Sequence, residues 1–265
     1  MRKKSEELLV YEYLTLRKSL SEEERRRYKK LKRGYEGELL FDTFIEKLEQ
    51  DYRLLRDVWL SYNNKIFQID HALMLNNSIY LYEVKNYIGE YYYSNEKLYH
   101  FSEKEIDDPL TQLKRTESLL RQLLQQLGYQ APLQGAVVFI NPECTIFQAP
   151  RTKKILLPTQ LNRYFRSFHH PSTVNPIFRQ LANKLNSIRL EKSPYEKLPD
   201  YHYGELNKGI PCGKCNKFYK IVKGKKCICQ NCGEQELVQS AILRNVEEFM
   251  ILFPEERVTS ERIKE

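Results

Sequence analysis

Between residues 65 and 85, apolar and polar positions alternate in a way that predicts two strands and the turn between them. Lys65–Leu75 and Ser78–Lys85 are rich in β-branched, aromatic and aliphatic residues, and only Asn76-Asn77 separates them. A two-residue break of this kind predicts a hairpin in which Leu75 pairs with Ser78. Counting back places Asp70 opposite Glu83 and Gln68 opposite Lys85. One face continues as Ala72, Met74, Ile79 and Leu81, and the other as Ile69, Leu73, Tyr80, Tyr82 and Val84. Side chains alternate along a strand, so both faces are expected to be covered and the pair to be central.

The same reading extends outwards. Leu54–Tyr62 predicts a strand ahead of the hairpin, Gly89–His100 a further strand pair, and Gly135–Ile140 a short buried strand ending at Asn141-Pro142. Asp108-Pro109 predicts the start of a helix through Leu127, with Leu110, Leu113, Leu120, Leu123 and Leu124 inward and Gln112 in its first turn. From Gly34 onward, Leu40, Phe41, Phe44, Ile45 and Leu48 follow helical spacing. Gly34 and Gly37 fall near the centre of that face, where glycine lets a helix approach a sheet closely, and Glu38 falls at its margin. Ser21-Glu22-Glu23-Glu24 reads as a capping box opening a charged helix through Lys32. With Leu8–Leu16 it forms an N-terminal helical arm. Two helices are expected within 157–189, a linker over Glu191–Gly209, and helices over Glu234–Phe253 and Ser260–Lys264.

Chemistry enters where the apolar face ends. Directly opposed residues have Cβ atoms about 4.5–5.5 Å apart, and like charges so placed repel. Asp70 and Glu83 side by side, with Lys85 on the same face, call for a cation between the carboxylates. A Glu-x-Lys pair on a solvated edge strand would call for nothing, but charges at the end of a covered pair need a reason. Magnesium takes oxygen ligands and keeps several waters, so one or two carboxylates suffice to anchor it. Such an ion polarises a phosphoryl oxygen and supplies a nucleophilic water, and a neighbouring lysine can orient that water. Glu38 is either a further acid of this site or an acid complementing a helix N-terminus.

Gly34-x-x-Gly37-Glu38, Gln68-Ile69-Asp70-His71, Glu83-Val84-Lys85-Asn86-Tyr87-x-Gly89 and Asp108-Pro109-x-x-Gln112 together resemble the nuclease-related domain, NERD, over roughly residues 34–140. That domain is similar to nucleases of the PD-(D/E)xK superfamily. The resemblance implies an α/β fold with a restriction-endonuclease-like αβββαβ core. It also implies that Asp70 and Glu83 ligate Mg2+ or Mn2+, that Lys85 is the catalytic lysine, that Glu38 is the helix-borne acid and that Gln112 supports the site. Ile69 stands where the wider superfamily has proline before the aspartate. His71 alternates to the other face and is read as structural or as a neighbour of the site.

The cysteines carry a second signal. Cys212/Cys215 and Cys229/Cys232 form two C-x-x-C knuckles, a spacing that reads as a zinc ribbon with four cysteine ligands. Cys227 is surplus and expected on the strand entering the second knuckle, and Cys144 is read as structural. His169, His170 and His202 lack metal-ligand spacing. Residues 151–232 hold seventeen Lys and Arg against four Asp and Glu, so the basic charge of a chain that is +8 overall is concentrated there. Lys214, Lys217, Lys220, Lys223, Lys225 and Lys226 lie in the ribbon, interleaved with Phe218 and Tyr219, as expected of a surface for phosphate contact and base stacking.

Composition sets the remaining bounds. In 265 residues, 41% hydrophobic content supports a core, while 29% charged residues and a mean hydropathy of −0.63 argue against a membrane span. Leu8-Leu9-Val10 is too short for a signal-peptide core, so a cytoplasmic chain is expected. No phosphate-binding loop motif is present, so no nucleotide cofactor is expected. The expected organisation is an arm over 1–33, a nuclease-like domain over 34–189, a linker over 190–210, the ribbon over 211–233 and C-terminal helices over 234–265. Two functions fit: a Mg2+- or Mn2+-dependent nuclease acting on DNA rather than RNA, or a non-catalytic nucleic-acid-binding or adaptor module on the same fold.

Overall fold

Three two-residue turns set the register of the main strands. Asn63-Asn64, Asn76-Asn77 and Asn95-Glu96 have positive φ at both positions, the type I′ geometry that suits the right-handed twist of hairpin strands. The computed structural model describes residues 2–168 and 173–259. In chain order it begins α1 (Glu6–Arg17), α2 (Glu22–Ile45), β1 (Arg53–Tyr62), β2 (Lys65–Leu75) and β3 (Ser78–Lys85). Next come β4 (Gly89–Ser94), β5 (Lys97–His100), β6 (Glu105–Ile106), α3 (Pro109–Gln126), β7 (Leu133–Phe139), β8 (Cys144–Phe147) and β9 (Ile155–Leu156). The rest is α4 (Pro158–Arg166), α5 (Pro176–Ser187), β10 (Ile221–Lys223), β11 (Lys226–Ile228), β12 (Gln235–Leu237) and α6 (Val238–Leu252). The helix expected over Ser260–Lys264, and His169 and His170, lie outside the described residues.

The chain divides into two units, one of residue 2 with 33–195, the other of 3–32 with 196–259 among the described residues. The first holds a five-stranded sheet in the order β1-β2-β3-β7-β9. The β1–β2–β3 meander is antiparallel, and β7 and β9 add in parallel beyond β3. A smaller sheet, β6-β5-β4-β8, is inserted around the β4–β5 hairpin. Helix α2, three strands, helix α3 and strand β7 give the expected αβββαβ order. One sheet face packs Ala72, Met74, Ile79 and Leu81 against Leu113, Leu120 and Leu124 of α3 and Leu181 of α5. The other packs Leu73, Tyr82 and Val84 against Phe41 and Ile45 of α2 and Phe165 of α4.

Four expectations need correction. The charged helix and the helix from Gly34 are one continuous α2, since a single glycine in a strongly helical run weakens it by roughly 1 kcal/mol without breaking it. Leu40 faces outward at 42% exposure, whereas Phe41 is fully buried. Ile69 buries with Ala72 and Leu81 instead of Val84. Residues 69 and 72 share a face only if the strand loses its alternation between them, and Asp57 in the adjoining part of β1 has a φ of +52°. Finally, residues 235–237 pair with β11 as a strand and only then does α6 begin, because Gly233, with φ +74°, turns the chain back onto the sheet.

In the second unit, Val10, Tyr11 and Leu14 of α1 share a core with Leu20, Leu206 and Leu252. Arg17 is buried there but fully engaged, with Glu248 at 2.6 Å, Asn245 at 2.7 Å and the carbonyls of Asn207 and Gly209. Strands β10, β11 and β12 form a separate three-stranded sheet. Among the described residues no helix is long and apolar enough to cross a membrane.

The two α2 glycines have unequal roles. A Cβ at Gly37 would stand 2.5 Å from Asn86 Cβ, whereas one at Gly34 would meet nothing within 4 Å. Only Gly37 therefore sets how closely α2 approaches the end of β3. Gly37→Ala should lower thermal stability by about 1–3 kcal/mol through overpacking, while Gly34→Ala should raise it by about 0.5–1 kcal/mol. Thermal melts of both variants check this; a Gly37→Ala protein as stable as the parent would contradict the close approach.

Candidate active site and cysteine cluster

The ladder between β2 and β3 runs from Leu75↔Ser78 to His71↔Tyr82 and stops there. Beyond it β3 stays paired with β7, through Glu83↔Val137 to Lys85↔Phe139. Asp70 is thus the first residue of β2 to have left the ladder, and its carboxylate accepts the Val84 backbone N–H at 3.1 Å. The expected facing of Gln68 and Lys85 does not occur: Gln68 donates to Asp57 at 2.6 Å. Lys85 Nζ lies 2.7 Å from Glu83 Oε1 and 3.1 Å from Gln112 Oε1. Gln112 is aimed by its helix start, where Asp108 caps α3 by accepting from Leu110 N and Thr111 N, with Pro109 in the first turn. Tyr93 fixes the cap in turn, donating to Asp108 at 3.0 Å.

Charge crowding dominates the electrostatics. Burial and the Asp70 charge raise the Glu83 carboxyl above its ordinary range, against the opposing pull of Lys85. Burial and Asp70 likewise raise Glu38, against Arg2. Burial works against the Lys85 charge, but Glu83 and Asp70 outweigh it and hold the ammonium above its usual range. Glu83 and Glu38 thus each feel Asp70 as excess negative charge. A cation relieves such crowding, and a set of hard carboxylate oxygens suits Mg2+ or Mn2+. Two of these carboxylates are enough for an ion that keeps most of its waters.

Behind this cluster lies a network that the sequence did not reveal. His71 is fully buried, with Nε2 3.0 Å from Asp42 Oδ1 and 2.6 Å from Arg2 Nη2. Arg2 also reaches Asp42 at 3.1 Å and Glu38 at 2.5 Å, and Arg56 holds Asp42 at 2.8 Å. Burial opposes the Asp42 charge, but His71, Arg56 and Arg2 together hold its carboxyl well below the usual range. Asp42 stands one helical turn after Glu38, an i,i+4 spacing that could have flagged it. Nothing in the sequence marks Arg2.

Cys212, Cys215, Cys229 and Cys232 bring their sulfurs within 4.8 Å of one another. Among the described residues no other set of three or more His, Cys, Asp or Glu does so. Cys212 and Cys232 approach to 3.7 Å and Cys215 and Cys229 to 3.5 Å, with all four thiols free of disulfides. Cys227 lies buried on β11, and burial pushes the thiol of Cys144 up to about 11. Lys214, Lys217, Lys220, Lys223, Lys225 and Lys226 are all exposed. The aromatic residues between them are half-buried: Tyr219 donates to Glu236 at 3.0 Å, and Phe218 lies under the Arg17 guanidinium.

The family model described as nuclease-related domain, NERD, matches residues 33–140. That span runs from the part of α2 that carries Gly37 and Glu38 to the end of β7, and it includes Asp70, Glu83, Lys85 and Gln112. Comparison with curated proteins gives no match, and comparison with solved structures gives none either. Residues 33–140 therefore match the nuclease-related domain, and a four-cysteine cluster follows in the same chain.

Proposed function

We propose that the chain is a Mg2+- or Mn2+-dependent nuclease that hydrolyses phosphodiester bonds of DNA in preference to RNA, of the PD-(D/E)xK type. The observation that carries this reading is the meeting of Glu83, 4% exposed, with Lys85 at 2.7 Å beside Asp70, where β2 leaves β3. Asp70 and Glu83 would hold the ion. When bound, such an ion supplies Lewis-acid polarisation of a phosphoryl oxygen and a coordinated water of lowered pKa.

The chain's own groups do the rest. An ammonium has three donors, and Lys85 directs two at Glu83 and Gln112. Its third can hydrogen-bond the attacking water or a non-bridging phosphate oxygen, where a fixed positive charge stabilises the charge that develops. Gln112 keeps the ammonium from swinging away, and Glu38 adds a carboxylate from α2 that can accept a hydrogen bond from a water in the site. The exposed ribbon lysines serve as backbone contacts. Lys223 and Lys226 are cross-strand partners, an arrangement that repels in isolation and that a phosphate relieves.

In this reading the cysteine cluster holds structural zinc. Four sulfurs at about 2.3 Å from a tetrahedral ion lie about 3.8 Å apart, close to the separations of 3.5 and 3.7 Å. The chain should carry one zinc, and Cys212→Ser should remove it and melt residues 211–237 locally, because so small a sheet has little core of its own. Elemental analysis with hydrogen exchange checks this; parent protein with no zinc after metal-free handling, yet with protected amides in 221–237, would contradict it.

The catalytic reading is tested by separating cleavage from binding. Glu83→Gln removes a ligand charge with little change of shape, so it should reduce Mn2+-dependent DNA cleavage by about 100-fold or more while leaving DNA affinity intact. Reversing Lys223, Lys225 and Lys226 to Glu should weaken binding and flatten its salt dependence by up to about 0.9 log units per lost phosphate contact. Cleavage assays on metal-stripped and restored protein, with binding isotherms across salt, measure both. Undiminished cleavage by Glu83→Gln would place the chemistry elsewhere, and a parent protein inert on DNA and RNA would favour the non-catalytic binding module.

A further inference from the structure

Among the described residues, Arg2 is the one cation that touches both the buried Asp42–His71 pair and Glu38 of the candidate site. Its side chain is 3% exposed, and Asp42 is 5% exposed, while Glu38 opens to solvent at 22%. The guanidinium spans these environments: Nη1 binds Glu38 Oε2 at 2.5 Å, Nε binds Asp42 Oδ2 at 3.1 Å and Nη2 lies 2.6 Å from His71 Nε2. The Tyr35 hydroxyl donates to the Arg2 carbonyl at 3.2 Å, which fixes the backbone as well. Asp42 is anchored independently by Arg56 of β1. The planar fork is therefore held at one end by a rigid network, and its other end grips the acid of α2 that shares its field with Asp70.

Asp42 alone would balance the charge of Arg2. The Nη1 contact of Arg2 adds a charge-assisted hydrogen bond that restrains one oxygen of the Glu38 carboxylate. Glu38 sits on a helix that packs on the sheet face opposite to that of Ala72 and Leu81. A long glutamate side chain has several rotamers, and without a partner it would lose its orientation toward the cluster. We propose that Arg2 is a positioning residue for the cleavage reaction, holding the Glu38 carboxylate of α2 in one orientation. This rests on the nuclease reading above and goes beyond it in giving the site a supporting residue from outside the matched family span.

A double-mutant cycle tests it. Arg2→Gln should slow single-turnover DNA cleavage with saturating Mn2+ about tenfold or more, with the DNA KM changed less than about twofold. In a Glu38→Gln background the same replacement should change the rate less than about twofold, since nothing remains to be positioned. Arg2→Lys, which keeps the charge but not the fork, should recover part of the rate and show whether folding survives. Equal losses in both backgrounds, or no loss from Arg2→Gln, would overturn the proposal. Calorimetric Mn2+ titration of the same four proteins without DNA separates this from failure of the nuclease reading. If the parent does not cleave, non-additive shifts of about threefold or more in the Mn2+ dissociation constant still uphold the positioning role, and additive shifts overturn it. A parent that binds no Mn2+ overturns both.

Discussion

Strand β3 is held by β7 from Ile79 to Lys85, but by β2 only as far as Tyr82. The gap this leaves would strand a backbone donor at Val84, and an unpaired buried N–H costs about as much as a lost hydrogen bond. The Asp70 carboxylate fills the role of the missing ladder carbonyl. One hydrogen bond thus anchors Asp70 beside Glu83 and keeps the strands apart. Everything at the site depends on that splay. It lets α3 deliver Gln112 from one face of the sheet, and it brings Glu38 of α2, which packs on the opposite face, into the field of Asp70.

The consequence is a knot of like charge that protein groups alone balance incompletely. Lys85 neutralises part of it from within the strand, and Arg2 part of it from behind. Burial and repulsion from Asp70 still raise Glu38 and Glu83 above their ordinary range. Removing one partner from a buried charged network is costly, and a cluster that carries such a cost argues for a use beyond stability. Asp42, by contrast, is fully compensated by Arg2, Arg56 and His71 and serves as the foundation of the site.

Much of this was legible in the sequence because it was local. The Asn-Asn turn fixed hairpin register, Asp108-Pro109 fixed the start of α3 and therefore Gln112, and two C-x-x-C pairs fixed the cysteine cluster. Gly37 was legible as a point of close approach, though Gly34 looked the same and is not one. The illegible parts are long-range. Nothing near Arg2 announces partners at Glu38, Asp42 and His71, and the end of the β2–β3 ladder at His71 lies beside the positive φ of Asp57 in a different strand. The strand after Gly233 was hidden by the helical pattern of the residues that follow it.

The central claim is that Asp70 and Glu83 form a site for a divalent cation. The most direct measurement is an anomalous difference map from crystals of the protein soaked in Mn2+. The account predicts one strong peak within coordinating distance of carboxylate oxygens of both Asp70 and Glu83, absent in crystals of Glu83→Gln. A map with no peak there at saturating Mn2+, while the crystallised protein still cleaves DNA in solution, would contradict it.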